Sequence, residues 1–191
     1  MTALESNDLT NLVPSRPMTK LRTLRMSDNS ITTIDLALFP KIRTLYADRN
    51  RLRGLARSGG GPSRIENLSL RNQQVKGLSI SAKELDNVKR LYVSGNPLSS
   101  DFFPTGPLYS LIYVEAAACN LRKWPERFVQ RLPNVKILNL NYNYFENLDG
   151  LKGMKGLRKL TMVGARLGGS GAKGVVSGLR DHVELEEVDL R

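Results

Sequence analysis

Short apolar pairs interrupted by one outward position recur along the whole chain: Leu24/Met26, Leu45/Ala47, Leu68/Leu70, Leu91/Val93, Val114/Ala116, Leu138/Leu140, Leu160/Met162 and Val188/Leu190. A period of two is that of a short strand with one buried and one outward face. Each pair belongs to a longer unit that opens on an aliphatic residue: Leu21, Ile42, Ile65, Val88, Leu111, Val135, Leu157 and Leu185, spaced by 21, 23, 23, 23, 24, 22 and 28 residues. The ninth position of the unit is Asn29, Asn50, Asn96 and Asn143, with Gln73, Cys119 and Ala165 as substitutes. An amide buried there can bond backbone groups that a tight bend leaves unpaired, at about 1 kcal/mol net per bond.

Seven complete copies of L-x-x-L-x-L-x-x-N-x-L, with an eighth opening at Leu185, are the signature of leucine-rich repeats. The expected fold is an α/β solenoid, a right-handed superhelix with a parallel sheet on its concave side and short helices or 3₁₀ turns on its convex side. Residues 35–40 and 147–151 read as short helical or 3₁₀ turns. Residues 125–133 read as a better helix, with Pro125 at its start and Pro133 after its end. Ser58-Gly59-Gly60-Gly61-Pro62 cannot hold a helix and reads as a mobile loop. The longest unit adds Gly168-Gly169-Ser170-Gly171 before Val175–Leu179, read as a loop and then a short helix.

The whole of 1–191 reads as one domain of about eight repeats. Leu4, Asn7 and Leu9 match Met26, Asn29 and Ile31 one unit later, so 1–20 is expected to be a truncated repeat, and 185–191 another. Solenoids need caps to shield their terminal layers; the expectation is therefore a fragment of a longer protein.

Composition adds three constraints. No apolar run approaches the roughly 18 residues of a membrane span, and the first residues lack a secretory pattern. Cys119 is the single cysteine, which excludes an intrachain disulfide and favours an intracellular, reducing compartment. In the ladder position it reads as a small core residue rather than a reactive thiol. Lys and Arg outnumber Asp and Glu by 29 to 18, a net charge of +11 that suits an acidic partner.

Chemistry of its own is not expected. The one histidine, His182, has no nucleophile at triad spacing, and one His with one Cys makes no metal site. Gly59-Gly60-Gly61 lacks the Lys-Ser/Thr of a phosphate loop. No catalytic, cofactor or metal residues are therefore assigned.

Binding is the expectation instead. Positions three, five and seven of each unit face out from the strands, onto the concave side. There Arg25, Tyr46, Arg71, Arg90, Tyr92, Tyr113 and Asn139 are the expected protein-binding residues, since arginine and tyrosine dominate the energetic centres of interfaces. Arg71 and Arg90, on neighbouring strands, are spaced to hold a phosphate or carboxylate by forked bonds, which extends the expectation to a phosphorylated peptide. A second basic feature, Lys20/Arg22, Lys41/Arg43, Arg64, Lys89, Lys136 and Arg158, runs down the edge where strands begin and reads as solvated cations. Nucleic acid is disfavoured because no helix-turn-helix, zinc spacing or aromatic RNA-binding motif is present.

The 22-to-23-residue period with returns such as Asn147-Leu148-Asp149-Gly150-Leu151 resembles the intracellular phosphatase-1 regulatory subunits. A narrower likeness lies in Leu45-Tyr46-Ala47-Asp48-Arg49-Asn50, in residues 163–169 and in the ending 179–191. These strings resemble the repeat domain of the fungal spindle-pole-body scaffolds of the septation initiation and mitotic exit networks, which are related to centriolin. That resemblance implies a non-catalytic scaffold in the cytoplasm and cytoskeleton, at the spindle pole body. Its implied partners are a small GTPase with its GTPase-activating complex, a Mob-kinase complex or a spindle-pole anchor. The broader resemblance implies the alternative, a phosphatase-1 regulatory subunit. Neither carries a membrane partner.

Overall fold

A computed structural model describes residues 1–168 and 178–191. Nine strands follow one another: β1 (Thr2–Ala3), β2 (Thr23–Arg25), β3 (Thr44–Tyr46), β4 (Asn67–Ser69), β5 (Arg90–Tyr92), β6 (Tyr113–Glu115), β7 (Ile137–Asn139), β8 (Lys159–Thr161) and β9 (Glu187–Asp189). They form one parallel sheet in chain order. The register pairs Leu24, Leu45, Leu68, Leu91, Val114, Leu138, Leu160 and Val188 in succession, so the fourth position of each unit stacks on the same position of the next. From Leu24 to Leu160 this row is fully buried, whereas Val188 in the last layer is 41% exposed. A solenoid layer is therefore dry only when sandwiched. At the other end Ala3 pairs with Arg25, and Asn29 accepts from the Asn7 and Leu9 N–H groups, so residues 2–9 are structurally one unit ahead of 24–31.

Each unit turns out of its strand at its eighth position, in the left-handed region: Ser6, Asp28, Arg49, Asn72, Gly95, Ala118, Tyr142 and Gly164 all have φ between 50° and 73°. The bend frees backbone groups that the ninth side chain then satisfies. Asn50 donates to the carbonyls of Met26 and Ala47 and accepts from Ile31 N–H at 3.0 Å. Asn96 and Asn143 repeat the pattern. Gln73 does so with its longer arm, donating to Ala47 O and accepting from Leu52 N–H. Cys119 keeps only weak sulfur contacts, 3.4 Å to Val93 O and 3.3 Å to Ala117 O. Burial pushes its thiol up to about 11, which leaves it protonated and unreactive at neutral pH.

The convex side is made of short returns. Leu36–Leu38 and Asp149–Leu151 form the two 3₁₀ turns, the first capped by the Asp35 carboxylate accepting from Ala37 N–H at 2.9 Å. The helix expected across 125–133 is shorter: α2 covers only Phe128–Arg131, because Arg127 takes a left-handed φ of 53° and so cannot extend it towards Pro125. A further helix, α1 (Ala82–Leu85), not anticipated from the sequence, starts on a capping box at Ser81, where the Glu84 carboxylate accepts from Ser81 N–H at 2.7 Å. The Gly59-Gly60-Gly61 segment contains no helix, and all three residues adopt positive φ. Trp124 stacks on Phe145 with centroids 4.2 Å apart and packs over Gly150, where a side chain would collide with the indole. The inserted Gly169-Ser170-Gly171 and residues 175–177 lie outside the described residues.

Candidate functional site on the strand-lined face

The period-two alternation that buries positions four and six turns positions three, five and seven onto the concave face of the sheet. Arg25, Tyr46, Arg71, Arg90, Tyr92, Tyr113 and Asn139 all stand on it. They do not stand there equally free.

Arg71 is the hub. Its Nε and Nη2 donate to both oxygens of Glu115 at 2.7 and 2.8 Å, a forked pair that reaches from the end of β4 over β5 to β6. Its guanidinium carbon lies 4.5 Å from the Tyr92 ring centroid, and Tyr92 meets Tyr113 at 4.9 Å. Glu115 also accepts from Ser94 Oγ at 2.7 Å and from the Tyr113 hydroxyl at 3.4 Å. On the other side Asp48 accepts from Ser69 Oγ at 2.6 Å and stands 3.5 Å from Arg71 Nη1. The forked hydrogen bond from Arg71 holds the Glu115 carboxyl below the usual carboxylate range, against the opposing effect of burial. Burial, with Glu115 alongside, raises the Tyr113 phenol to about 12.

This hub corrects the expected Arg71/Arg90 clamp. The fork of Arg71 is already occupied by Glu115, while Arg90 is exposed and donates only to Asn67 Oδ1 at 3.3 Å. A second, smaller stack, Arg25 over Tyr46 at 4.5 Å, lies at the opposite end of the face. Asn139 accepts from Asn141 N–H at 3.1 Å.

Position seven has a function that the alternation alone hides. Where the seventh residue of a unit is Ser, Asp or Asn, its side chain accepts from the N–H of the seventh residue of the next unit, where the strand ladder has ended. Ser27 Oγ accepts from Asp48 N–H at 3.1 Å, Asp48 Oδ1 from Arg71 N–H at 2.8 Å, Ser94 Oγ from Ala117 N–H at 2.9 Å and Asn141 Oδ1 from Val163 N–H at 2.9 Å. Ser27, Asp48, Ser94 and Asn141 thus extend the ladder along the edge of the face. The run of Ser, Asp and Asn at one repeat position was the sequence signal for it.

Among the described residues no group of His, Cys, Asp or Glu is placed to hold a metal ion. The face offers ordered aromatic rings, phenol hydroxyls and cations.

The leucine-rich-repeat family model matches residues 20–42. Over 140 residues the chain is 30% identical to the septation initiation network scaffold protein cdc11 of Schizosaccharomyces pombe; this covers 70% of the chain and 13% of that protein's length. Among solved structures, human 5T4 (trophoblast glycoprotein) superposes with a TM-score of 0.74 at 16% identity, over 96% of this chain and 74% of 5T4. An internalin (inlF) of Listeria monocytogenes superposes at 0.58 and 17% identity, over 90% of this chain and 54% of the internalin. The two structural likenesses speak for the fold alone. Repeat spacing, nine-strand ladder and matches together make the chain a leucine-rich-repeat solenoid similar, over most of its length, to a septation initiation network scaffold.

Proposed function

We propose that the chain is a non-catalytic interaction module whose concave face receives a segment of a protein partner, within a scaffold acting at the spindle pole body in septation initiation. The repeat fold and the likeness to a scaffold support a protein-interaction role; assignment to this face rests on one observation. Arg25 with Tyr46, and Arg71 with Tyr92 and Tyr113, are stacked into fixed positions on a surface left open by the returns on the other side. Large side chains already ordered lose little entropy when a guest covers them, and arginine and tyrosine are the types that carry binding energy. The partners that fit this reading are signalling components of septation: a small GTPase with its activating complex, a Mob-bound kinase or a pole anchor. A phosphorylated guest would meet Arg25 and Arg90 rather than Arg71.

The test is affinity purification from mitotic cells with Arg25→Ala/Tyr46→Ala and Arg90→Ala/Tyr92→Ala variants. Capture of septation components is expected to fall at least roughly tenfold, consistent with losing one or two hot-spot side chains. Arg71 is left intact, since its removal would strip the half-buried Glu115 of its partner and confuse folding with binding. Undiminished capture by both folded variants would overturn the proposal.

A further inference from the structure

On the edge where strands end, away from the face just described, three consecutive units stack an arginine, a tyrosine and an arginine. The guanidinium carbons of Arg122 and Arg166 each lie 4.8 Å from the centroid of the Tyr144 ring, one contributed by the unit before and one by the unit after. The tyrosine is placed there by the repeat itself, since it follows the ladder residue Asn143, and its N–H bonds Leu121 O at 2.7 Å. Neither arginine has a carboxylate at ion-pair distance among the described residues, and residues 169–177 contain no Asp or Glu that could supply one. Stacking uses the flat face of a guanidinium and leaves its edge donors unspent.

The surroundings reinforce this. A groove of about 240 Å³ beside Arg122 is lined by Ser100, Asn120, Arg122 and Lys123, with Leu98 and Leu121 at its base. The opposite edge behaves differently: there Glu66 bridges Arg43 and Lys89, and Arg158 faces Glu184 and Glu186. Three cations of the basic edge expected from the sequence, Arg43, Lys89 and Arg158, are thus neutralised, whereas Arg122 and Arg166 on the other edge meet a tyrosine ring instead of a carboxylate.

We propose that the Arg122–Tyr144–Arg166 stack and its groove form a second docking surface, for an extended acidic segment of a protein partner. The occupant follows from charge and spacing. Two guanidiniums held on either side of one ring suit carboxylates on alternate residues of an extended chain, about 7 Å apart on one side. The groove next to Lys123, where Ser100 and Asn120 offer hydrogen-bonding side chains, takes the neighbouring backbone. Because the stack lies on a different edge, this surface can be occupied together with the concave face.

A fluorescein-labelled decapeptide alternating Glu and Ser, titrated against the 191-residue chain by fluorescence anisotropy, tests it. Arg122→Ala/Arg166→Ala is expected to weaken binding at least roughly tenfold, the loss for two charge-assisted bonds. Tyr144→Leu is expected to weaken it a few-fold and Tyr144→Phe to leave it unchanged, since the ring and not the hydroxyl holds the arginines. Lys20→Ala/Lys41→Ala, which removes the same charge from the opposite edge, is expected to change little. Equal weakening by the two charge-matched pairs would reduce the attraction to net charge and overturn the proposal. So would tighter binding of a single-stranded RNA of the same charge at the same arginines. A concave-face variant, Arg90→Ala/Tyr92→Ala, should bind the peptide normally, which separates this surface from the proposed one.

Discussion

At the scale of single residues, stability resides in side chains that close backbone hydrogen bonds between units. Asn143 shows the arithmetic: it accepts from Cys119 and Leu121 N–H and donates to Ala116 and Leu140 carbonyls. Asn143→Ala buries those four groups without partners and is expected to cost about 3 kcal/mol in urea denaturation. A loss below roughly 1 kcal/mol would mean that the ladder is decoration. Glu115 gives a pH dependence. Its carboxyl is held low in the folded chain, so its contribution is present above the ordinary carboxylate value of 4.5 and disappears as pH falls through the lower folded value. Wild type should therefore lose more stability than Glu115→Gln between about pH 5 and pH 3, and parallel curves would deny the Arg71 pair a stabilising part. The asparagine ladder was legible because it falls at one repeat position. The Arg71–Glu115 pair was not, since it joins residues 44 apart on strands two units removed, and spacing alone does not show which outward side chains lean together.

At the scale of elements, sequence reading succeeds where one unit repeats another and fails where a return is idiosyncratic. Strand positions and register follow the apolar pairs, because a one-residue slip would put every leucine in water. Helix α2 is shorter than the prolines around it suggest, because Arg127 adopts a left-handed conformation that no local signal announces. The eighth-position bend is likewise spread over Ser, Asp, Arg, Asn, Ala, Tyr and Gly, so that its regularity becomes visible only in the backbone angles. Gly95 marks its tightest place: φ is 73° and the Asn72 amide lies where a Cβ would be. Gly95→Ala is expected to destabilise the chain by about 1–2 kcal/mol, read as a lowered thermal midpoint. An unchanged midpoint would show that Asn72 yields freely.

At the scale of the whole molecule, returns pack on one side and leave a continuous strand face open, with a partly neutralised basic edge on one flank and the Arg122–Tyr144–Arg166 stack on the other. The apolar spacing made the solenoid legible; the sorting of charge between its two edges was not, since it depends on which cations find Glu66, Glu184 and Glu186 as neighbours. The six tyrosines sample these surfaces separately: Tyr46, Tyr92 and Tyr113 stand on the concave face, Tyr144 on the strand-end edge, and Tyr109 and Tyr142 are exposed elsewhere. Hydroxyl-radical footprinting of the chain with and without its captured septation partner therefore tests the central claim most directly. Protection of Tyr46, Tyr92 and Tyr113, with Tyr109 and Tyr142 still oxidised at their free rates, is the predicted result. Protection of Tyr109 or Tyr142, with the three concave tyrosines unaltered, would contradict it.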